Sequence, residues 1–115
     1  MVKYNIRYGS SSPSKIYDVN DLEELFFEKL FSKTQEVNLN NNFSMIRMSN
    51  GTLAVEYAGY PIGKVRLQGK KHTMQILKSI YKYYSVEGNI QDFLPKIDEW
   101  IQYIRKYILK ELKGV

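Results

Sequence analysis

The sequence predicts an α+β fold in which an antiparallel sheet of about five strands carries helices on one face. Three observations support this class. Polar and apolar residues alternate at the start of the chain, Asn50-Gly51 separates two apolar runs, and apolar residues recur every three or four positions near the C-terminus. The predicted order of elements is ββ-α-βββ-α-α. A chain of 115 residues fits one domain spanning residues 1–115.

The first part of the chain contains signals for two strands and a capped helix. Alternation over residues 2–8 predicts a half-buried strand, and residues 15–19 are expected to return beside it as a hairpin after the turn sequence GSSSPS. Asn20 and Glu23 have the spacing of a capping box, which predicts a helix over residues 21–33.

Three further strands are predicted in the middle of the chain. Residues 43–48 and 53–58 flank Asn50-Gly51, a dipeptide that favours the positive φ angles of a type I′ turn. A strand over residues 63–68 follows the connection at residues 59–62. Because the connections are short, the three strands are expected to pair antiparallel as a meander.

Two helices are predicted in the last part of the chain. The first is expected to begin after Thr73, an N-cap residue, and to end near Gly88. Its apolar residues have helical spacing: Met74, Leu77, Tyr81 and Tyr84. Pro95 suits the first turn of the last helix, because the N–H that proline lacks is unbonded there.

The last helix carries an apolar stripe at three- and four-residue spacing. The stripe comprises Ile97, Trp100, Ile101, Ile104 and Ile108. Two interpretations stay open: the stripe covers the chain's own sheet, or it pairs with a second copy of the chain. A homodimer through the C-terminal helix is therefore one expectation.

The positive charge of the chain lies in its second half. The chain has 17 Lys and Arg residues against 12 Asp and Glu residues, a net charge of +5. Residues 1–60 carry six basic and seven acidic residues, and residues 61–115 carry eleven basic and five acidic residues. An excess of this kind favours a polyanionic partner such as nucleic acid.

The basic segment GKVRLQGKKHT, residues 63–73, is the candidate binding site. Lys64 and Arg66 project from one face of the predicted strand, and the predicted helix after it begins with N–H groups that can bind an anion. Basic residues beside a helix N-terminus repel its dipole unless an anion is present. The predicted phosphate site comprises Lys64, Arg66, Lys70, Lys71, His72 and Thr73, with Arg105 of the last helix as a further candidate. In the competing interpretation, the lysines are solvated turn residues.

Tyrosine is abundant, with ten residues in the chain. Most are expected to pack their rings in the core and leave their hydroxyl groups in water. Tyr60, in a predicted turn, and Tyr83, off the predicted helical stripe, are expected to be exposed and to contact a partner.

The inventory of catalytic side chains is poor. The chain has one histidine and no cysteine, so schemes based on Ser-His, Cys-His or several metal-binding histidines lack their parts. We therefore expect no enzymatic activity, no cofactor and no metal. The sequence contains neither a signal peptide nor a run of about 18 apolar residues, so a cytoplasmic protein without a membrane partner is expected.

In length, in its Lys-, Tyr-, Ile- and Asn-rich composition and in the segment GKVRLQGKKHT, the chain resembles small anti-defence proteins of phages and mobile elements, the anti-CRISPR type among them. The resemblance implies a non-catalytic inhibitor that occupies a nucleic-acid or protein surface of a host immune effector. The expected partner is nucleic acid or a host protein–nucleic acid complex. Two alternatives remain: a nucleotide second messenger sequestered at a homodimer interface, and an interaction module that docks on an acidic protein surface.

Overall fold

A computed structural model of the protein describes residues 6–9, 17–40, 42–79 and 81–112. It confirms the α+β class, with six strands in one sheet. The strands are β1 (Ile6–Tyr8), β2 (Phe43–Arg47), β3 (Leu53–Tyr57), β4 (Tyr60–Arg66), β5 (His72–Ser79) and β6 (Lys82–Gly88). Their spatial order equals their order in the chain. Helix α1 (Asp21–Glu36) connects β1 to β2, which pair in parallel, and all later neighbours pair antiparallel.

The C-terminal helical segment, residues 90–112, changes its helical form several times. It comprises α2 (Ile90–Phe93), a 3₁₀ turn (Leu94–Lys96), α3 (Ile97–Tyr103), a π-helical stretch (Ile104–Ile108) and α4 (Leu109–Leu112). Pro95 lies in the 3₁₀ turn, where its missing N–H costs no helical hydrogen bond. The predicted apolar stripe from Ile97 to Ile108 is buried in the core. The stripe therefore covers the chain's own sheet and is not available to a second copy.

Helix α1 and the C-terminal helical segment pack on the same face of the sheet. The Phe26 and Trp100 rings meet edge to face with centroids 5.3 Å apart, and Trp100 Nε1 donates a hydrogen bond of 3.0 Å to the Gln75 carbonyl. A Cβ atom at Gly63 would lie 2.6 Å from Trp100 Nε1, so the absence of a side chain there lets the indole ring reach the sheet. Trp100 thus joins the two layers at β4 and β5.

The opposite face of the sheet, here called the open face, is covered by none of the described helices. Along β2 and β3, buried residues alternate with partly exposed ones, as one-sided packing requires. The register places the following described side chains on the open face: Arg7, Ser44, Ile46, Ala54, Glu56, Pro61, Lys64, Arg66, Thr73, Gln75, Leu77, Tyr83, Ser85 and Glu87. Its composition is mostly polar and charged.

The predicted helix from Thr73 to Gly88 is wrong, because this segment forms the hairpin of β5 and β6. Met74 and Ile76 alternate with polar residues and face the core, and Ile76 pairs with Tyr84 across the hairpin. Apolar residues of this segment also recur at the three- and four-residue spacing of a helix. This spacing alone therefore predicted the wrong type of element. The segment is rich in β-branched and aromatic residues, which favour strands.

The second strand predicted for the N-terminal hairpin, residues 15–19, is absent from its described part. Strand β1 is confirmed over residues 6–8, whereas residues 2–5 and 10–16 lie outside the described residues. Residues 17–19 form no strand, and β1 pairs with β2 instead. The chain therefore crosses over through α1, which begins with the predicted capping box of Asn20 and Glu23 and ends three residues later than predicted, at Glu36.

The type I′ turn predicted at Asn50-Gly51, between β2 and β3, is found instead between β3 and β4. Gly51 has a φ of 89°, but Asn50 does not have a positive φ, so the Asn50-Gly51 loop is not a type I′ turn. The Asn50 side chain instead accepts a hydrogen bond from the backbone N–H of Thr52 at 3.0 Å. Ala58 and Gly59 have φ values of 53° and 87°, as a type I′ turn between β3 and β4 requires.

A polar cluster joins the β5–β6 hairpin to α3 and leads to a pH prediction. Tyr84 Oη donates to Glu99 Oε1 at 2.6 Å, and Lys78 Nζ donates to the same oxygen at 2.6 Å. Burial, with the hydrogen bond and negative charge of Glu99, raises the pKa of Tyr84 from 10.0 to about 12. A raised folded-state pKa means that the stability from neutral Tyr84 is complete below pH 10 and is lost towards pH 12.

We expect wild type to lose more stability than Tyr84→Phe as the pH rises through this window. Urea denaturation of both proteins at a series of alkaline pH values measures the difference. Below pH 10 the variant should be less stable by about 1 kcal/mol, the contribution of one hydrogen bond. A stability difference that stays constant from neutral pH to pH 12 would contradict the role of Tyr84.

Candidate functional site

The basic segment is a β-hairpin rather than a junction between strand and helix. Arg66 at the end of β4 pairs with Thr73 in β5, and the turn between them contains Gly69, with a φ of 74°. We call residues 64–73 the basic hairpin. Because Thr73 lies in a strand, the predicted anion site at a helix N-terminus is wrong. A phosphate site in this segment must therefore be built from side chains and the turn.

The structure places two of the predicted cations on the open face and a third in the adjoining turn. Lys64 and Arg66 flank the buried Val65 and share this face, as predicted. Lys70 lies exposed in the turn next to them. Among the described residues, no carboxylate forms an ion pair with any of these three side chains. None of the described acidic residues therefore compensates these positive charges by an ion pair.

Two of the other predicted site residues are already engaged. Lys71 Nζ lies 3.5 Å from Glu87 Oε2, an exposed ion pair that contributes little stability. His72 Nε2 lies 2.9 Å from the carbonyl oxygen of Gly69, so the tautomer that carries hydrogen on Nε2 donates to it. His72 therefore closes the turn of the basic hairpin.

Arg105 does not belong to this site. It is exposed in the π-helical stretch beside Gln102 and Lys106, on the layer that covers the other face of the sheet.

Tyr60 and Tyr83 are exposed, as predicted, with 41% and 63% of their surface accessible. Tyr81, 93% accessible at the β5–β6 turn, was missed because the helical interpretation placed it in an apolar stripe.

A cavity of about 450 Å³ lies at the end of the sheet beside the basic hairpin. Its lining comprises Tyr17, Asp18, Val19, Asn20, Asn50, Arg66, Gln68 and Gly69. We call it the Arg66 cavity. A Cβ atom at Gly69 would lie 3.4 Å from Arg66 Nη2, which places the guanidinium group against the turn. The volume lies within the range of small-ligand sites.

The guanidinium group of Arg66 has unused hydrogen-bond donors. Its Nε atom is buried and has no hydrogen-bond partner. Arg47 Nε is also buried without a partner, but both Nη atoms of Arg47 are bonded to Glu23. A buried donor without a partner costs free energy that a bound acceptor recovers, and a phosphate can bind guanidinium through two oxygens. Asp18 is the one carboxylate in the lining, and it forms no ion pair with Arg66.

A buried ion pair fixes the walls of the Arg66 cavity. Arg47 Nη1 lies 2.6 Å from Glu23 Oε2, and Arg47 Nη2 lies 3.2 Å from Glu23 Oε1. Gln68 Nε2 donates to the same Oε1 at 2.9 Å and to the Asp18 carbonyl at 2.8 Å. Arg47 Nη1 also donates to the Gly51 carbonyl at 3.0 Å. The pair thus connects α1, β2, the β2–β3 loop and the start of the basic turn.

Sequence reasoning missed this network. Arg47 occupies the third inward position of β2, after the apolar Phe43 and Met45. A single charged residue on an otherwise apolar strand face is the signal that predicts a buried ion pair, and the acidic residue of the capping box is its partner. The pairing itself joins residues 24 positions apart, which no local pattern reveals.

The described residues contain no group of three or more His, Asp or Glu side chains arranged to hold a metal ion. No helix within the described ranges is long and apolar enough to cross a membrane. Comparison of the chain with models of protein families, with curated proteins and with solved structures finds no match. We therefore infer the function from the geometry of the site.

The buried ion pair gives a stability prediction. Glu23→Gln and Arg47→Met each leave one buried charge without its counter-charge, so each should lower the free energy of unfolding by about 3–5 kcal/mol. Glu24→Gln, an exposed substitution in the same first turn of α1, is the matched control and should change stability by about 0.5 kcal/mol or less.

Urea denaturation followed by circular dichroism measures all three variants. The double variant Glu23→Leu with Arg47→Met removes both charges and should be more stable than Arg47→Met alone. Single variants that unfold at the same urea concentration as wild type would contradict the role of this ion pair.

Proposed function

We propose that the protein is a non-catalytic binding protein that contacts phosphate groups of a nucleic acid through the basic hairpin. One observation carries the proposal. Lys64 and Arg66 share the open face at β4, Lys70 is exposed in the turn that follows, and none of the three has an ion-pair partner among the described residues. The buried Nε–H of Arg66 has no hydrogen-bond acceptor among these residues. Such a group of side chains favours an anionic ligand.

The remaining charges of the open face support a local site. Arg7 Nη2 lies 3.4 Å from Glu56 Oε1, so these two residues compensate each other at the β1–β3 side. Glu87 is paired with Lys71. Among the described residues of the open face, the cations without an ion-pair partner therefore lie in β4 and in the turn that follows it.

The spacing of the cations suits a chain of phosphates rather than one isolated anion. Lys64 and Arg66 are two residues apart on the same strand face, so their Cα atoms are about 7 Å apart. Lys70 extends the row into the turn. Flexible lysine side chains on a rigid strand can contact successive phosphates, while the planar Arg66 guanidinium group fixes one of them.

The biological setting that we propose is the one implied by the resemblance to small anti-defence proteins. In this setting the protein acts in the cytoplasm of the host cell and inhibits an immune effector by occupying its nucleic acid or its protein–nucleic acid complex. The interaction with an acidic protein surface remains the alternative for the same cations.

The first test of the proposal is the salt dependence of nucleic-acid binding. Three phosphate contacts to a single strand predict a slope of about −2 in a plot of log K against log salt concentration. The variant Lys64→Glu with Lys70→Glu should bind at least tenfold more weakly, and its slope should be smaller in magnitude by about 1 or more. Fluorescence anisotropy with a labelled oligonucleotide measures both quantities.

The double variant Lys29→Glu with Lys106→Glu is the matched control, because both lysines are exposed on the helical layer and their substitution changes the net charge by the same amount. The control should keep most of the affinity and the wild-type slope. Equal weakening by the control and by the hairpin variant, or a slope near zero for wild type, would contradict a specific phosphate site in the basic hairpin.

A second candidate function is the sequestration of a small phosphorylated ligand, and the Arg66 cavity favours it. The sequence predicts such a ligand at a homodimer interface, but the apolar stripe expected to form that interface is buried within the chain. The cavity within one chain provides Arg66 for a phosphate and polar side chains such as Asn50 and Gln68 for the rest of the ligand.

Calorimetry against a panel of mono-, di- and cyclic nucleotides tests this second function. Saturable one-to-one binding is expected to be lost in Arg66→Gln and strengthened several-fold in Asp18→Asn, because the latter removes the one carboxylate from the lining. If no nucleotide of the panel binds while oligonucleotides bind in a salt-dependent way, sequestration of a small ligand is contradicted and nucleic-acid binding is supported.

A further inference from the structure

The open face continues from the basic hairpin to an exposed aromatic side chain. The register of the sheet places Lys64 opposite Gln75, and Gln75 opposite Ser85. Tyr83 lies two residues from Ser85 on the same strand and therefore on the same face. With about 4.8 Å between strands, the Tyr83 Cα lies about 12 Å from the Lys64 Cα.

Tyr83 is free to accept a partner. Its neighbour Tyr84 points to the helices and donates to Glu99, so alternation directs Tyr83 to the open face. The residue is 63% accessible, and it makes no ring contact or hydrogen bond with another described residue. A large exposed ring on a rigid strand is a surface on which a planar apolar group can stack.

The surface between the cations and Tyr83 carries no charge. The side chains of Gln75 and Ser85 lie there, and neither makes a hydrogen bond with the described residues, while the half-buried Leu77 pairs with Tyr83 across the hairpin. Amide and hydroxyl groups can donate to and accept from the edges of bases. The open face therefore presents three zones in order: phosphate-binding cations, neutral hydrogen-bonding groups and an aromatic ring.

We infer that the open face binds a single-stranded nucleic acid, with a base stacked on Tyr83 and the backbone phosphates on Lys64 and Arg66. The inference rests on the proposed function and specifies its ligand. A duplex is unsuited to this surface, because its bases are stacked on each other and their faces are not available to an aromatic side chain. A single strand exposes both its phosphates and the faces of its bases.

The inference predicts that stacking and phosphate binding can be separated experimentally. Stacking on an aromatic side chain does not release counterions, so loss of Tyr83 should lower affinity without changing the salt slope. Loss of Lys64 should change both. A role of Tyr83 in folding alone would instead leave the relative affinities for different oligonucleotides unaltered.

The experiment compares three labelled probes by fluorescence anisotropy: an oligothymidylate of about 12 nucleotides, the same backbone with abasic sites, and a duplex of equal length. Wild type should bind the oligothymidylate roughly tenfold more tightly than the abasic probe. Tyr83→Leu should lose this preference and keep the salt slope. Tyr60→Leu, which removes another exposed tyrosine, should behave as wild type.

Equal binding of the oligothymidylate and the abasic probe by wild type, an unchanged preference in Tyr83→Leu, or a preference for the duplex would each overturn the single-strand inference. Each of those results still leaves salt-dependent binding, so the proposed function survives them. Failure of all three probes to bind at low salt would overturn the proposed function as well.

Discussion

The structure depends most directly on the buried ion pair between Arg47 and Glu23. Their side chains are 1% and 0% accessible, so each charge has lost its hydration and requires the other. Glu23 belongs to the capping box of α1, and Arg47 ends β2. Gln68 and the Gly51 carbonyl complete the hydrogen bonding of the pair. One interaction therefore fixes the start of α1, the β2–β3 loop and the strand that leads into the basic hairpin.

The second organising feature is the one-sided sheet. Trp100, Phe26 and the apolar stripe of the C-terminal helical segment cover one face, and this packing uses the apolar surface of both helical segments. The open face is left with polar side chains. Its charges are paired at the β1–β3 side and at Lys71, whereas Lys64, Arg66 and Lys70 are not paired. The proposed function follows from this difference between the paired and the unpaired charges of the open face. The buried ion pair fixes the loops at the end of the sheet beside Arg66, one of the unpaired cations.

Local patterns predicted the parts of the fold that depend on local interactions. The capping box of α1, the strands flanking Asn50-Gly51 and the buried stripe of the last helix are set by residues within a few positions of one another. The prediction of a helix from Thr73 to Gly88 failed because its apolar residues fit both the helical period of about 3.6 residues and the strand period of about 2. Pairing across the hairpin, such as that of Ile76 with Tyr84, stabilises the strands. The shared face of Lys64 and Arg66 was predictable from alternation. The Arg66 cavity was not, because Tyr17, Asn50 and Gln68 meet only through the tertiary fold.

Above all, we propose that the basic hairpin binds phosphate groups. Nitrogen-edited NMR of the labelled protein, titrated with an unlabelled oligothymidylate at low salt, tests it most directly. The account predicts saturable shifts of the Arg66 Nε–H and of the Gly69 and Lys70 amides, with Arg105 and the rest of the C-terminal helical segment unchanged. Shifts confined to Arg105 and Lys106, or no saturable shift within the basic hairpin, would contradict it.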